Sequence, residues 1–97
     1  MTAEFIVRPE AEGDLRAAFS WYESQVVGLG DEFLLKIDAA FAVIRRHPVA
    51  FPIVYEDVRR AVVRRFPYSV FYVAESERTV VLSVLHERQD PSEWPAG

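Results

Sequence analysis

The chain has no cysteine, one lysine, one methionine, two histidines and four glycines in 97 residues. Each scarcity removes a class of explanation. Without cysteine there is neither a disulfide framework nor a thiolate zinc site. His47 and His86 lie far apart in sequence and give a metal site little to build on, so none is expected. No apolar run approaches the ~18 residues that a membrane span needs. The opening Met1-Thr-Ala-Glu-Phe5 lacks the basic and apolar blocks of a signal peptide, and a cytoplasmic location is expected. There is no glycine-rich phosphate loop, no HExxH pair and no serine nucleophile elbow, and no cofactor is expected.

An excess of positive charge is missing as well. The net charge is −4, which argues against binding nucleic acid through indiscriminate counterion release. Sequence-specific DNA binding by this chain alone is not expected. What the chain does have is arginine, at ten of its eleven basic positions. Four of the ten fall within seven residues, in Val58-Arg-Arg-Ala-Val-Val-Arg-Arg-Phe-Pro-Tyr68. The run is rich in valine and closed by aromatics, so it reads as a strand rather than a basic tail. Guanidinium groups held on a rigid strand offer a fixed fork of donors to phosphate or carboxylate. Arg59, Arg60, Arg64 and Arg65 are therefore candidate partner-binding residues. The plainer alternative is that they are solvated charges that discourage edge-to-edge pairing. On an ideal strand Arg59 and Arg65 share a face with Ala61 and Val63, and Arg60 and Arg64 share the other with Val62. Neither face is cleanly apolar, which predicts a bulge or an exposed strand end.

A hydrophobic fraction of 51% with seven Phe, four Tyr and two Trp suffices for a core. A chain this size buries about 60–65% of its extended surface. Residues 1–97 are expected to form a single domain. Glu4–Arg8 reads as a strand stopped by Pro9. Proline suits a first helical turn, and Glu10, Glu12 and Asp14 favour the positive end of the helix dipole. Ala11, Leu15, Ala18 and Tyr22 recur at helical spacing over residues 10–25. Gly28-Leu-Gly30 breaks that helix, and Asp31 is placed to cap the next one. Phe33, Ile37, Ala40 and Ile44 form a second stripe, ending in Arg45-Arg46-His47 before Pro48. After a loop marked by Pro48 and Pro52, three strand-like runs follow: Val58–Phe66, Ser69–Glu75 and Arg78–Glu87. Short connections between them imply an antiparallel meander. The expected fold is α+β, in the order β-α-α-β-β-β. A helical hairpin packs on one face of a mainly antiparallel four-stranded sheet. The other face should be largely free to present arginine, tyrosine and histidine.

In the last strand Val80, Leu82, Val84 and His86 alternate with Val81, Ser83, Leu85 and Glu87; the Ser83 face looks the more exposed. His86, near that strand's end and followed by Glu87 and Arg88, has the chemistry of a general acid or base. A histidine that merely closes the strand with a satisfied hydrogen bond is the simpler reading. Trp21 reads as sealing the sheet's rim. Asp90-Pro-Ser-Glu-Trp94 leaves an aromatic in a proline-bounded tail that must pack somewhere.

Taken in order, several of these features resemble the RelE/ParE superfamily of type II toxin–antitoxin toxins, once called plasmid stabilisation proteins. They are Trp21-Tyr22-Glu23, Gly28-Leu-Gly30 with Phe33, Ile44, His47-Pro48, Phe51-Pro52, Arg59-Arg60, Arg64-Arg65-Phe66-Pro67-Tyr68, His86, Asp90-Pro91 and Trp94. The resemblance implies a growth-inhibiting toxin silenced by a cognate antitoxin that wraps around it. One branch of the superfamily cleaves messenger RNA on the ribosome; the other inhibits DNA gyrase. The nuclease branch carries an arginine in the third strand, whereas this chain has Tyr68-Ser69-Val70-Phe71-Tyr72. Arg64, Arg65, His86 and Arg88 would be the catalytic candidates of a nuclease. The missing arginine and acidic balance favour the protein-binding branch, with Arg59, Arg60, Arg64, Arg65 and Trp94 as contact residues. Enzyme activity stays uncertain on this reading and leans towards none.

Overall fold

The computed structural model describes residues 4–89. The elements run β1 (Glu4–Val7), α1 (Pro9–Gln25), α2 (Leu29–Arg46), β2 (Ile53–Tyr55), β3 (Val58–Val62), β4 (Tyr68–Ala74) and β5 (Arg78–His86). Pro9 occupies the first turn of α1, with Glu10 and Glu12 in the same turn, where a missing N–H costs nothing and negative charge meets the dipole. Ala11, Ala18 and Tyr22 form its buried stripe. The helix stops at Val26, whose backbone is extended, and Gly28 starts α2 at φ 91°, a left-handed value that glycine adopts without a steric penalty.

Asp31 lies inside the first turn of α2 and does not cap it. The Glu23 carboxylate does that work from the preceding helix, accepting from the Gly28 and Gly30 N–H groups at 2.9 Å each. Gly30 is required for a second reason. A Cβ there would stand 2.7 Å from the Phe19 ring and 2.9 Å from Glu23 Oε1, so the two helices approach closely only because it has none. The Trp-Tyr-Glu and Gly-Leu-Gly motifs are thus two halves of one helix junction.

The sheet has five strands in the order β1-β5-β4-β3-β2, one more than the sequence predicts. β1 is parallel to β5; the other pairs are antiparallel. The helical hairpin carries the chain from the β1 edge to the β2 edge. The extra strand lies where a loop was expected. Ile53–Tyr55 pairs with β3, Ile53 opposite Arg59 and Tyr55 opposite Val58. Three residues are too few to show alternation, and the reversal behind them is made by Glu56 at φ 49°, not by glycine. β3 ends at Val62, short of the expected Phe66. Val63 still donates to the Tyr68 carbonyl at 2.9 Å, but Arg64 and Arg65 belong to the turn, Arg65 at φ 69°.

The main core lies between helices and sheet. Phe33, Ile37 and Ile44 of α2 meet Tyr22 of α1 and Ala61, Val70, Tyr72, Val81 and Val84 of the sheet. Full burial of a side chain such as Phe33 or Ile37 contributes about 1.5–3 kcal/mol. Tyr22, Phe33, Phe66 and Tyr68 interlock, with ring centroids 5.0–6.1 Å apart. The face away from the helices is not free. Val58, Phe71, Val73 and Leu85 are buried there as a second cluster, with Val54, Val80 and Leu82 beside them. β5 also carries a bulge. Phe71 pairs with Ser83 but Tyr72 pairs with Val81, so Leu82 is extra. Beyond it the inward parity of β5 switches: Val81 and Val84 both join the helix side. Ser83 is buried, not exposed. Tyr68 and Tyr72 pack with the helix-side core, and His86 rests edge-on against Tyr68 at 5.1 Å, so these three are not presented on the outer face.

Candidate partner-binding site

The four clustered arginines do not make one surface. Strand alternation sends Arg59 to the helix side with Ala61 and Arg60 to the opposite side with Val58, opposite Phe71. Arg59 Nη1 donates to the carbonyls of Phe51 at 2.7 Å and Val49 at 3.2 Å. Its strand neighbour Tyr72 donates from Oη to the Pro48 carbonyl at 2.6 Å. Together they fix the 48–51 segment that leads from α2 into β2. Tyr72 has its phenol pushed up by burial, with Arg59 opposing the shift, so the hydroxyl stays a donor. Arg60 is half-buried and engaged elsewhere in the chain. Arg64 and Arg65 are exposed at the β3–β4 turn.

That turn closes one end of a groove of about 510 Å³ between α2 and β3. Ala39, Ala40, Val43, Phe51, Ala61 and Val62 line it, and Lys36, Arg64 and Arg65 supply its cationic side chains. Val62 is 62% exposed and Val43 39%, so an apolar surface is open to solvent beside three positive charges. Short side chains on α2 leave the space. Sequence reasoning missed Lys36, Ala39 and Val43, although their spacing with Ala40 marks a second flank of α2 beside the buried stripe.

Of the nuclease candidates, His86 and Arg88 sit at the end of β5 and Arg64 and Arg65 in the β3–β4 turn, and these two places meet where the Glu87 N–H donates to the Pro67 carbonyl at 2.8 Å. His86 Nδ1 accepts from the Arg88 backbone N–H at 3.0 Å, and the His86 N–H donates to Gln89 Oε1 at 2.6 Å. An imidazole that accepts at Nδ1 carries its proton on Nε2 when neutral. Its Nδ1 thus ties the ring to the turn that follows β5. The Arg88 side chain is exposed. Among the carboxylates, Asp14 stands apart from its neighbours: its Oδ2 accepts from the Val84 N–H at 2.9 Å. Burial pushes its pKa up from 3.8, and Glu10 adds to the rise while the Val84 bond opposes it. Glu10 pairs with Arg8 at 3.6 Å on the surface. No group of three or more His, Cys, Asp or Glu side chains capable of holding a metal occurs among the described residues. No helix among them is long and apolar enough to cross a membrane. Trp21 is 58% exposed and packs edge-on against Tyr22, so it borders the core without being sealed into it. Trp94 lies outside the described residues.

The family model described as "ParE toxin of type II toxin-antitoxin system, parDE" matches residues 5–91. The chain belongs to the ParE toxin family. Its fold agrees with that of ParE and RelE toxins. A structure from the chromosomal ParDE toxin–antitoxin system of P. aeruginosa is similar, with a TM-score of 0.78 at 15% identity over 88% of this chain and 96% of that one. A structure from the RelBE2 toxin–antitoxin complex of Mycobacterium tuberculosis matches with a TM-score of 0.54 at 20% identity, covering 89% and 99%. A search of the curated proteins finds no significant match.

Proposed function

We propose that this chain is the toxin half of a type II pair, held inactive by a cognate antitoxin and directed at DNA gyrase rather than at RNA. The observation that carries the partner reading is the groove: an apolar floor open to solvent with Lys36, Arg64 and Arg65 around it. A segment of alternating apolar and acidic residues fits both features. It removes Val43 and Val62 from water, which supplies affinity. Its carboxylates meet guanidinium forks, which supplies orientation and association rate. That both similar structures come from toxin–antitoxin systems supports an antitoxin as that segment's owner.

The gyrase reading rests on what an RNA-cleaving site would require. Cleavage needs cations converging on one phosphate and an acid or base free to exchange a proton. Here Arg59 is turned to backbone carbonyls, and His86 has Nδ1 occupied. Tyr68–Tyr72 carries no arginine, and the net charge is −4. A protein-directed inhibitor needs none of those features.

Purified toxin should abolish supercoiling by gyrase in a dose-dependent way, and adding antitoxin should restore it. Unimpaired supercoiling at saturating toxin would exclude the gyrase target. New transcript ends within codons after induction would transfer the assignment to a ribosome-dependent nuclease. Unchanged colony counts on induction would mark a relative that binds a partner without toxicity. The antitoxin interface is tested separately. Arg64→Glu and Arg65→Glu should each weaken the complex at least about tenfold, or ~1.4 kcal/mol. Unchanged affinity in both places the interface elsewhere.

A further inference from the structure

α2 carries a second apolar stripe that the fold does not bury. Phe33, Ile37 and Ile44 face the core. Leu35, Ala39, Ala42 and Val43 lie on the other side of the helix and are exposed, Leu35 by 66%. A lone exposed leucine needs no explanation. This one heads a run at i, i+4, i+7 and i+8, the spacing by which one helix lays a face on another. The charges beside the stripe are ordered too. Asp31 and Glu32 stand in the first turn of α2, and Arg45 and Arg46 in the last, as the helix dipole favours. Arg45 is held over the Phe5 ring at 4.5 Å. Arg46, Asp31 and Glu32 are exposed, and among the described residues no ion pair engages any of the three. A helix acidic at one end and basic at the other is complementary to itself when reversed.

We propose that the free protein pairs with a second copy of itself through antiparallel α2 helices, the two-fold axis passing beside Ala39. The register follows from the spacing. When Ala39 meets Ala39 of the second copy, Leu35 meets its Val43 and Glu32 meets its Arg46. Each contact then occurs twice, and the interface closes on itself. The small side chains of Ala39 and Ala42 allow the helix axes to approach to about 8 Å. Reversed helices also bring opposite dipole ends together. Ala39 and Val43 line the α2–β3 groove as well, so self-pairing and occupation of the groove exclude each other. One helix pair is a small interface beside the roughly 1,200 Å² at which stable complexes begin, so the dimer is weak and a tight partner displaces it. That displacement rests on the antitoxin reading of the groove; the pairing itself does not, and it is independent of the toxin's target.

Sedimentation equilibrium of the full-length protein should show a monomer–dimer equilibrium with a Kd on the order of 10–100 µM, weakened several-fold by added salt. Leu35→Glu should weaken it at least about tenfold. Glu32→Arg and Arg46→Glu should each weaken it, and the double variant, with opposite signs again facing across the axis, should recover most of the loss. The chain has no cysteine, so Ala39→Cys supplies a single thiol at the axis. With oxidised glutathione it should form a linked dimer several-fold faster than Ala17→Cys, an exposed position on α1. A chain that stays monomeric at and above that concentration range overturns the proposal. So does a dimer indifferent to Leu35→Glu and to both charge reversals, because it uses another surface. Equal linking rates for the two thiols count against it as well. If Leu35→Glu leaves self-association intact but weakens the antitoxin complex, the stripe belongs to the antitoxin and the proposal falls.

Discussion

Arg59 and Arg65 belong to one short run of sequence, yet they serve opposite ends. Arg59 donates to two carbonyls of its own chain, whereas Arg65 is exposed on a groove wall. The acidic side chains divide in the same way. Glu23 and Asp14 each accept from backbone N–H groups, while Glu12 is exposed and Glu10 makes a surface ion pair. Whether a charge serves the fold or a partner is decided by the backbone groups within its reach, and the residue type is silent on that point. A free backbone donor or acceptor near a half-buried charge captures it, because leaving that group unmet costs about 1–3 kcal/mol.

The largest effect should come from Glu23→Ala. Two charge-assisted bonds at the helix junction are lost, and the fold should lose about 2–3 kcal/mol. Glu23→Gln keeps one acceptor and should cost about half as much on the same scale. Urea denaturation reads both, and antitoxin affinity at a temperature where each variant is folded should not change. Arg59→Ala should follow at about 1–2 kcal/mol, and Tyr72→Phe at about 1 kcal/mol. Both hold the 48–51 segment, so the double variant should lose less than the sum. Strict additivity would mean that the two anchors act on separate structures.

Much of this architecture is legible in the chain itself. Pro9, the two apolar stripes and the Gly-Leu-Gly break place both helices to within three residues. What stays hidden depends on contacts distant in sequence. Nothing near Arg59 announces that the carbonyls of Val49 and Phe51 will lie beneath it, since that depends on β2 pairing with β3. The bulge at Leu82 is hidden for the same reason, being a mismatch between two strands rather than a property of one. It puts Val81 on the inner face together with Val84, although simple alternation separates them. The groove was partly visible, in its arginines but not in the small residues of α2 that make room for a ligand.

Arg65 offers a sharper contrast, because stability and binding should move in opposite directions. Its φ of 69° is a value at which a side chain costs up to about 1 kcal/mol relative to glycine. Arg65→Gly should therefore raise stability by about 0.5–1 kcal/mol while weakening the antitoxin complex. Measured on one preparation, a gain in stability with intact affinity would show that the guanidinium is dispensable. A loss in both would mean that the side chain holds the turn.

The smallest expected effect concerns Asp14, and its sign is the informative part. Burial raises its pKa above 3.8, so the native state binds a proton more tightly than the unfolded chain does. Between the ordinary value and the raised one the native state holds more protons, and stability falls as pH rises through that window. Asp14→Asn keeps an oxygen to accept from Val84 but has no proton to lose. The variant should show a flatter stability curve above about pH 4, with neutral-pH stability equal to or slightly above that of the parent. Asp14→Ala separates the two contributions. It removes the same ionisation but orphans the Val84 N–H, so its curve should be equally flat and lie about 1–2 kcal/mol lower. If instead Asp14→Asn leaves the slope intact, the carboxylate is ionised at little cost, and Asp14 belongs with the exposed acids rather than with Glu23.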